Sequence, residues 1–299
     1  MNMGEIHQDM LKVDFLGFQL INPFILASAP PTRDYDAIRK GFQWGWAGAV
    51  TKSVVAGPES DKTPRIGHIY KQNILTATQN FEIGSEYSSL KWIEWTTKLS
   101  REFPDRLLYV SLEGGSDIKE WMRLAVMFMD TGIQGLELNF SSPHTDHMGT
   151  GSILVQNMDL CADIVRAVRK AVGSRLKIMP KLPYLVHPNE GMAARRLFEA
   201  GADAVTAINT IAGLSEFDIS TMEPKLNVGG FTAAGGMSYD ILRPFARLNQ
   251  GDISQTKGTF LKKELCKGMG MVFEQDLFSS FLISSILKIS FWSSSQIVF

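Results

Sequence analysis

Cysteine is almost absent from this sequence. Cys161 and Cys266 are its only two. Two thiols cannot ligate an iron–sulfur cluster or a four-cysteine zinc site. They give no disulfide framework either, so a reducing cytoplasm is the expected compartment. Charge of one sign is also missing. Thirty Lys and Arg stand against thirty-one Asp and Glu, a net charge of −1, which leaves no basic surface for nucleic acid or an acidic membrane. No apolar run reads as a spanning helix, because the most apolar stretch, residues 277–299, is broken by serines and Lys288. The opening MNMGEIHQDMLKVDF lacks the apolar core of a signal peptide, and its Met-Asn start lacks the myristoylation pattern. No G-x-G-x-x-G follows the first apolar run, which weighs against a dinucleotide-binding sheet.

What remains is an alternation. Short apolar runs at Phe24–Ala29, Ala47–Lys52, Leu107–Leu112, Gly135–Phe140, Leu176–Leu182 and Ala204–Asn209 suit strands buried on both faces, as in a parallel sheet. Between them lie amphipathic stretches at Tyr35–Gly45, Tyr87–Phe103, Lys119–Asp130, Asp159–Val172 and Glu190–Ala200. Asp34 precedes the first as an N-cap, and Gly201 follows the last as a C′ residue. Trp92, Trp95 and Leu99 recur at helical spacing in the second. Repeated strand–helix units with right-handed crossovers leave a closed barrel or a doubly wound sheet, and the missing glycine fingerprint favours the barrel. A single barrel of about 250 residues fits the length. In both architectures ligands gather at strand C-termini. There the sequence places Ser28, Thr51-Lys52, Asn139-Phe140-Ser141-Ser142, Lys181 and Asn209-Thr210.

Seven segments carry a family resemblance: NPFILASAP (22–30), GAVTKSV (48–54), QNFEIGSEY (79–87), LELNFSSPH (136–144), KIMPKL (177–182), AVTAINTIAGL (204–214) and GGMSYDILRP (235–244). Their order and content resemble the dihydroorotate and dihydropyrimidine dehydrogenase superfamily, on the dihydropyrimidine branch, over roughly residues 20–247. The resemblance implies a TIM-type (β/α)8 barrel with FMN as cofactor and a pyrimidine as small-molecule substrate. It implies hydride exchange between flavin and C6 of the ring, with proton transfer at C5 by a loop residue. Ser142 occupies that acid/base position, where the dihydropyrimidine branch usually has Cys and membrane-associated dihydroorotate enzymes have Ser.

The same resemblance assigns the other roles. Asn80, Asn139 and Asn209 match the substrate-clamping amides. An asparagine offers both donor and acceptor to a ring of alternating carbonyl and N–H groups, although taken singly each Asn reads more readily as a strand-end cap or turn residue. Thr210, Glu82 and Ser141 stand beside them. Ala27, Ser28, Thr51, Lys52 and Lys181 match flavin contacts, Lys181 near N1 and O2 of the ring. Gly235 and Gly236 match the pair that approaches the ribityl phosphate. Arg65 matches a position near the loop covering the site, and residues 144–152 read as a lid. His144 is a candidate helper for Ser142. His144 and His147 have no third ligand nearby in sequence, so no metal site is expected.

The rhythm stops after residue 250. The Gly-rich phosphate elements expected on two further strands are not recognisable in residues 248–299. The expectation is therefore an FMN-binding barrel over 1–250, incomplete after the sixth strand–helix unit, and an atypical tail over 251–299. An altered reading frame is the favoured origin of that tail, beside a buried terminal segment or an interfacial anchor. Three functions stay open: an FMN-dependent oxidoreductase of the dihydropyrimidine type, a dihydroorotate dehydrogenase using Ser142, and an inactive homologue acting by binding alone. With too few cysteines and no nucleotide fingerprint of its own, the first would draw electrons from NAD(P)H through a flavin and iron–sulfur partner subunit, as a homo- or hetero-oligomer.

Overall fold

A computed structural model describes residues 11–55, 65–71, 74–81, 84–141, 156–183 and 189–207, with short stretches between 209 and 235. Its centre is a parallel sheet. Strands β3 (Ile25–Leu26), β4 (Gly48–Val50), β8 (Leu107–Glu113), β9 (Gly135–Asn139), β10 (Lys177–Leu182) and β11 (Thr206–Ala207) pair in that order, and β5 (Val54–Val55) adds to β8. Each strand sits beside its sequence neighbour, without the reversal of order that a doubly wound sheet requires. Singly wound parallel strands with helices between them are the first six units of a (β/α) barrel. All six expected strands are present. Among the described residues no pairing joins β11 back to β3.

The helices are α1 (Tyr35–Gln43), α2 (Ser89–Glu102), α3 (Ile118–Met127), α4 (Met158–Val172) and α5 (Asn189–Glu199), each within a few residues of its expected range. Local capping explains the agreement. The Asp34 carboxylate accepts from Ala37 N at 2.8 Å, Ser88 Oγ from Lys91 N at 3.3 Å and Asn157 Oδ1 from Leu160 N at 3.1 Å. Gly201 takes φ +109 after α5, the left-handed turn its position implies.

The period-two alternation of the strands divides the core in two. Leu26, Ala49, Leu108, Val110, Leu112, Leu136, Leu138 and Ile178 face outward and pack with Ile38, Phe42, Trp92, Leu99, Trp121, Ile164 and Leu197 of the helices. Ile25, Ala27, Val50, Leu107, Tyr109, Met179 and Ala204 form the second cluster, on the inner face. Phe15 and Leu20 join that inner cluster from a two-stranded hairpin that sequence reading missed, β1 (Val13–Phe15) with β2 (Phe18–Leu20). The hairpin turns on Leu16 and Gly17, both at positive φ, and sets the Phe15 ring 6.3 Å from that of Tyr109.

Three differences from expectation have local causes. The first strand is shorter than Phe24–Ala29 because Thr32 folds back, its hydroxyl bonding Ala27 O and Ala29 O at 3.0 Å. Strand β11 is described over Thr206–Ala207, and Asn209 N continues its pairing with β10 by donating to Leu182 O at 3.0 Å. The segment between β5 and α2 contains an antiparallel hairpin, β6 (Arg65–Lys71) with β7 (Ile74–Phe81). It extends into a second sheet through β17 (Ala234–Gly235), which also pairs with β12 (Ile211–Ala212). Two further two-stranded pairs, β13–β14 (Phe217–Asp218, Glu223–Pro224) and β15–β16 (Asn227–Val228, Phe231–Thr232), lie between them in sequence. Residues 236–299, including the expected atypical tail, lie outside the described residues.

Gly135 opens β9 where the Tyr109 ring crosses. A Cβ there would stand 2.4 Å from Tyr109 Cε1 and 2.6 Å from the Lys177 carbonyl oxygen. The carbonyl belongs to the neighbouring strand and cannot swing away. Gly135→Ala is therefore expected to destabilise the fold by about 1–3 kcal/mol, the cost of overpacking, read as a lower thermal midpoint. An unchanged midpoint would show that Tyr109 does not fill the barrel interior.

Cys161 is fully buried on α4, and burial pushes its thiol up to about 12. The fold thus favours the protonated thiol over an unfolded value of about 8.5. That stability is complete below the unfolded value and is lost as pH rises through the window toward 12. Thiol labelling at pH 8 followed by peptide mapping should leave Cys161 unmodified in the native protein and modify it after denaturation. Native labelling would place the α4 packing in error.

Candidate active site

Polar residues toward the C-terminal ends of β3, β4, β8, β9 and β11 meet in one hydrogen-bonded network. Ser28 Oγ lies 3.5 Å from Ser53 Oγ, which lies 3.0 Å from Ser111 Oγ. Asn139 Nδ2 donates to Ser53 Oγ at 3.0 Å and to the Glu113 carboxylate at 3.3 Å. Asn139 Oδ1 accepts from Ser141 N at 3.2 Å and Ser141 Oγ at 2.9 Å. Asn209 Nδ2 donates to Ser141 Oγ at 3.1 Å. The network runs from β3 through β4, β8 and β9 to β11, over residues separated by up to 86 positions in sequence.

Register explains the convergence. Ser111 pairs with Glu137 and Glu137 with Met179; Asn139 pairs with Lys181 and Lys181 with Thr206. In parallel strands, paired residues share a face. Ser111, Glu137 and Met179 therefore form one inner layer, and Asn139, Lys181 and Thr206 the layer above it. The outer residues Leu112, Leu136, Leu138, Ile178 and Leu182 are the apolar intervals between them.

Two buried lysines supply positive charge. Lys181 is 5% exposed, and its Nζ lies 3.8 Å from Oε1 of Glu137, itself 2% exposed. Among the described residues, that Glu137 oxygen has no hydrogen-bond donor. A charged pair so deeply buried is kept for something other than stability in many proteins. Lys52, 9% exposed, lies two residues beyond β4, and its backbone N–H donates to Thr32 O at 3.0 Å. Thr51 turns the other way. It is fully buried, and its hydroxyl accepts from Ser111 N at 3.1 Å, which ties β4 to β8.

The expected site residues thus divide. Ser28, Asn139, Ser141 and Asn209 share the hydrogen-bonded layer. Lys52 and Lys181 are buried at the same strand ends, and Ala27 lies in the inner apolar cluster below. Asn80 lies in β7, its backbone opposite Ile66 and Ala234, and Gly235 in β17 opposite Gln79 and Ile211. Both belong to the antiparallel sheet. Arg65 opens β6 opposite Phe81. Ser142, Glu82, Thr210, Gly236, His144 and His147 lie outside the described residues. Among the described residues no group of three potential ligands forms a metal site.

Four members of the layer were not anticipated: Ser53, Ser111, Glu113 and Glu137. Counting back by twos from Asn139 reaches Glu137, and counting forward by twos from Tyr109 reaches Ser111 and Glu113. That simple inward periodicity was the available signal. An open surface depression between α1 and α2, lined by Tyr35, Arg39, Lys98 and Glu102 among others, holds none of the residues of this layer.

Asn139 is the hub. Its two N–H groups and both lone pairs of its oxygen are engaged by protein partners, which is its full capacity. Asn139→Asp replaces a double donor by a carboxylate facing the Glu113 carboxylate. Two unfilled acceptor positions and like-charge contact should cost about 2 kcal/mol or more at neutral pH. Acidification should recover part of it by protonating one carboxyl. Urea unfolding at two pH values tests this; equal losses at both would remove Glu113 from the contact.

The family profile described as "Dihydroorotate dehydrogenase" matches residues 10–257. Among curated relatives, the chloroplastic dihydropyrimidine dehydrogenase (NADP(+)) of Arabidopsis thaliana is 27% identical over 88% of this chain and 63% of its own length. The NAD-dependent dihydropyrimidine dehydrogenase subunit PreA of Escherichia coli K12 is 28% identical over 79% of this chain and 57% of its own. The catalytic subunit of dihydroorotate dehydrogenase B (NAD(+)) from Streptococcus pneumoniae R6 is 28% identical over 82% and 75%. The chain therefore spans about three-fifths of the length of the first two relatives. With the profile covering most of its residues and its strands wound in barrel order, this chain belongs to the dihydroorotate dehydrogenase family.

Proposed function

We propose that this chain is an FMN-dependent oxidoreductase acting on the C5–C6 bond of a pyrimidine, of the dihydropyrimidine type. The observation that carries the reading is the hydrogen-bonded network in which half-buried Ser28 and Asn209 join buried Asn139 and Ser141 through Ser53 and Ser141 at the strand ends, with buried Lys181 paired beside Asn139. The donor set fits the ring end of FMN. A buried ammonium at the end of β10 matches the pyrimidine edge of isoalloxazine, and the carbonyls, hydroxyls and ammonium at the ends of β3 and β4 match its polar rim. FMN, when bound, supplies the hydride donor and acceptor at N5.

The chain's own groups do the rest. Lys181 Nζ would hold positive charge beside N1 and O2, worth most in a water-poor site. Lys52, Ser28 and Ala27 would fix the ring, with Thr51 tying β4 to β8 behind it, and Gly235 and Gly236 would flank the ribityl phosphate. Asn80, Asn139 and Asn209, with Ser141, Thr210 and Glu82, would orient a planar pyrimidine, giving near-attack geometry at C6. The longest of the four Asn139 bonds, the 3.3 Å contact to Glu113, is the one that exchanges when a ring arrives. Ser142 follows the buried Ser141 directly and would move the proton at C5.

The relatives named for NADP(+) and NAD suggest that electrons arrive from a nicotinamide nucleotide. Since one of them is named as a subunit, a partner carrying flavin and iron–sulfur centres is part of the proposal.

The purified chain should be yellow, and anaerobic uracil or thymine should reoxidise its reduced flavin. Ser142→Ala should slow that step by about 10²–10⁴-fold while leaving the colour intact. A colourless chain, or a reduced flavin indifferent to every pyrimidine, would overturn the reading. Full turnover in the Ala variant would remove Ser142 alone.

A further inference from the structure

We propose that Glu113 selects the substrate by charge, admitting neutral pyrimidine rings and excluding those that carry a ring carboxylate. The proposal rests on the functional reading above and adds a residue that neither the sequence motifs nor the family resemblance assigned.

Glu113 ends β8, the strand at the middle of the sheet, and is only 9% exposed. Inward alternation from Tyr109 and Ser111 carries its side chain into the polar layer, where its Oε2 accepts from Asn139 Nδ2 at 3.3 Å. The residue is held from behind. Gly114 leaves room for the indole of Trp121, whose atoms would lie 2.8 Å from a Cβ at that position. Trp121 Nε1 donates to Gly115 O at 2.8 Å, and its ring packs edge-on against Phe140 at 5.3 Å. The strand end bearing Glu113 is thereby fixed to the strand end bearing Asn139.

This placement has a chemical consequence. A ring hydrogen-bonded by Asn139 sits about 2.9 Å from its amide, which brings the ring edge within about 6 Å of the Glu113 carboxylate. An ionised carboxylate only accepts hydrogen bonds, and has room for about four. It therefore rewards a ring edge bearing N–H, which every neutral uracil or dihydrouracil presents. It repels a second carboxylate at short range in a low-dielectric layer, where charges are screened far less than in water. Like-charge juxtaposition is a common means of rejecting a wrong ligand. Among the described buried residues at these strand ends, two lysines, Lys52 and Lys181, stand with two glutamates, Glu113 and Glu137, so positive charge is not in excess. Dihydroorotate and orotate differ from the neutral substrates by that one carboxylate.

The experiment is binding of uracil, orotate and orotate methyl ester to the full-length purified protein and to its Glu113→Gln variant, by calorimetry. The ester carries the same ring and a larger substituent without the charge, which separates electrostatic from steric rejection. Glutamine keeps an oxygen for Asn139, and a thermal midpoint checks that the variant is folded. In the unmodified protein, uracil and the ester should bind at least ten-fold more tightly than orotate. In the variant, orotate should tighten at least ten-fold while the ester hardly changes. Orotate binding as well as its ester in the unmodified protein, or remaining weak in a folded variant, would overturn the role of Glu113 and leave the functional reading standing. Failure of every ring to bind either protein would overturn the functional reading, and this proposal with it.

Discussion

Everything at the candidate site depends on the register of parallel strands. Ser111, Glu137 and Met179 lie across from one another, and Asn139, Lys181 and Thr206 lie one layer above. A slip of one residue in β9 would turn Glu137 and Asn139 outward into the helices and Leu136 and Leu138 inward. The outward set would then bury a carboxylate and an amide against Trp121 and Ile164, with no partners to satisfy them. The apolar packing of Leu136 and Leu138 with the helices therefore fixes where the chemistry stands. Helix caps such as Asp34 and Ser88 serve the same end at a distance, because they set where each helix lies on the sheet and so which strand residues it covers.

Local signals were legible in the sequence and convergent ones were not. The Asp34 cap, the Gly201 turn and the Trp92–Trp95–Leu99 spacing each depend on a handful of adjacent residues, and the helices they announce are all present. The six strands were readable because both faces are buried, which leaves continuous apolar runs. The β1–β2 hairpin escaped because Val13–Leu20 alternates over only three residues a side. The β6–β7 hairpin escaped for a different reason. Its alternation in RIGHIYK and ILTATQNF is interrupted by glycine, histidine and lysine, and its sheet partner β17 is more than 150 residues downstream.

The site shows the same division. Asn139, Ser141, Lys181 and Asn209 stood out through motif resemblance, because they sit within runs that look alike across the family. Glu113 and Glu137 did not. Each looks like an ordinary strand residue in one dimension, and only the neighbouring strands show that it points inward. Ser53 and Ser111 are similar, since a serine in an apolar strand becomes notable once a partner 58 residues away is found 3.0 Å from it. Asn139 is a subtler case. Its identity was legible as a ring-clamping amide, but its saturation by Ser53, Glu113 and Ser141 was not, because hydrogen-bond occupancy is a property of three strands at once.

The buried charges explain why the layer is built as it is. Lys181 cannot stand alone in a barrel interior, where an unpaired ammonium carries an uncompensated desolvation cost. Glu137, two residues before Asn139 on the adjacent strand, supplies the opposite charge at a separation of 3.8 Å. At that distance without a hydrogen bond, the pair is looser than a structural salt bridge. The ammonium can therefore turn part of its charge toward a bound anion without leaving its partner. A tighter contact would hold the lysine for Glu137 alone, and a missing one would leave its burial uncompensated. The outcome is a cation that is stable without its ligand and still available to it, a condition that any site stabilising a transient negative charge must meet.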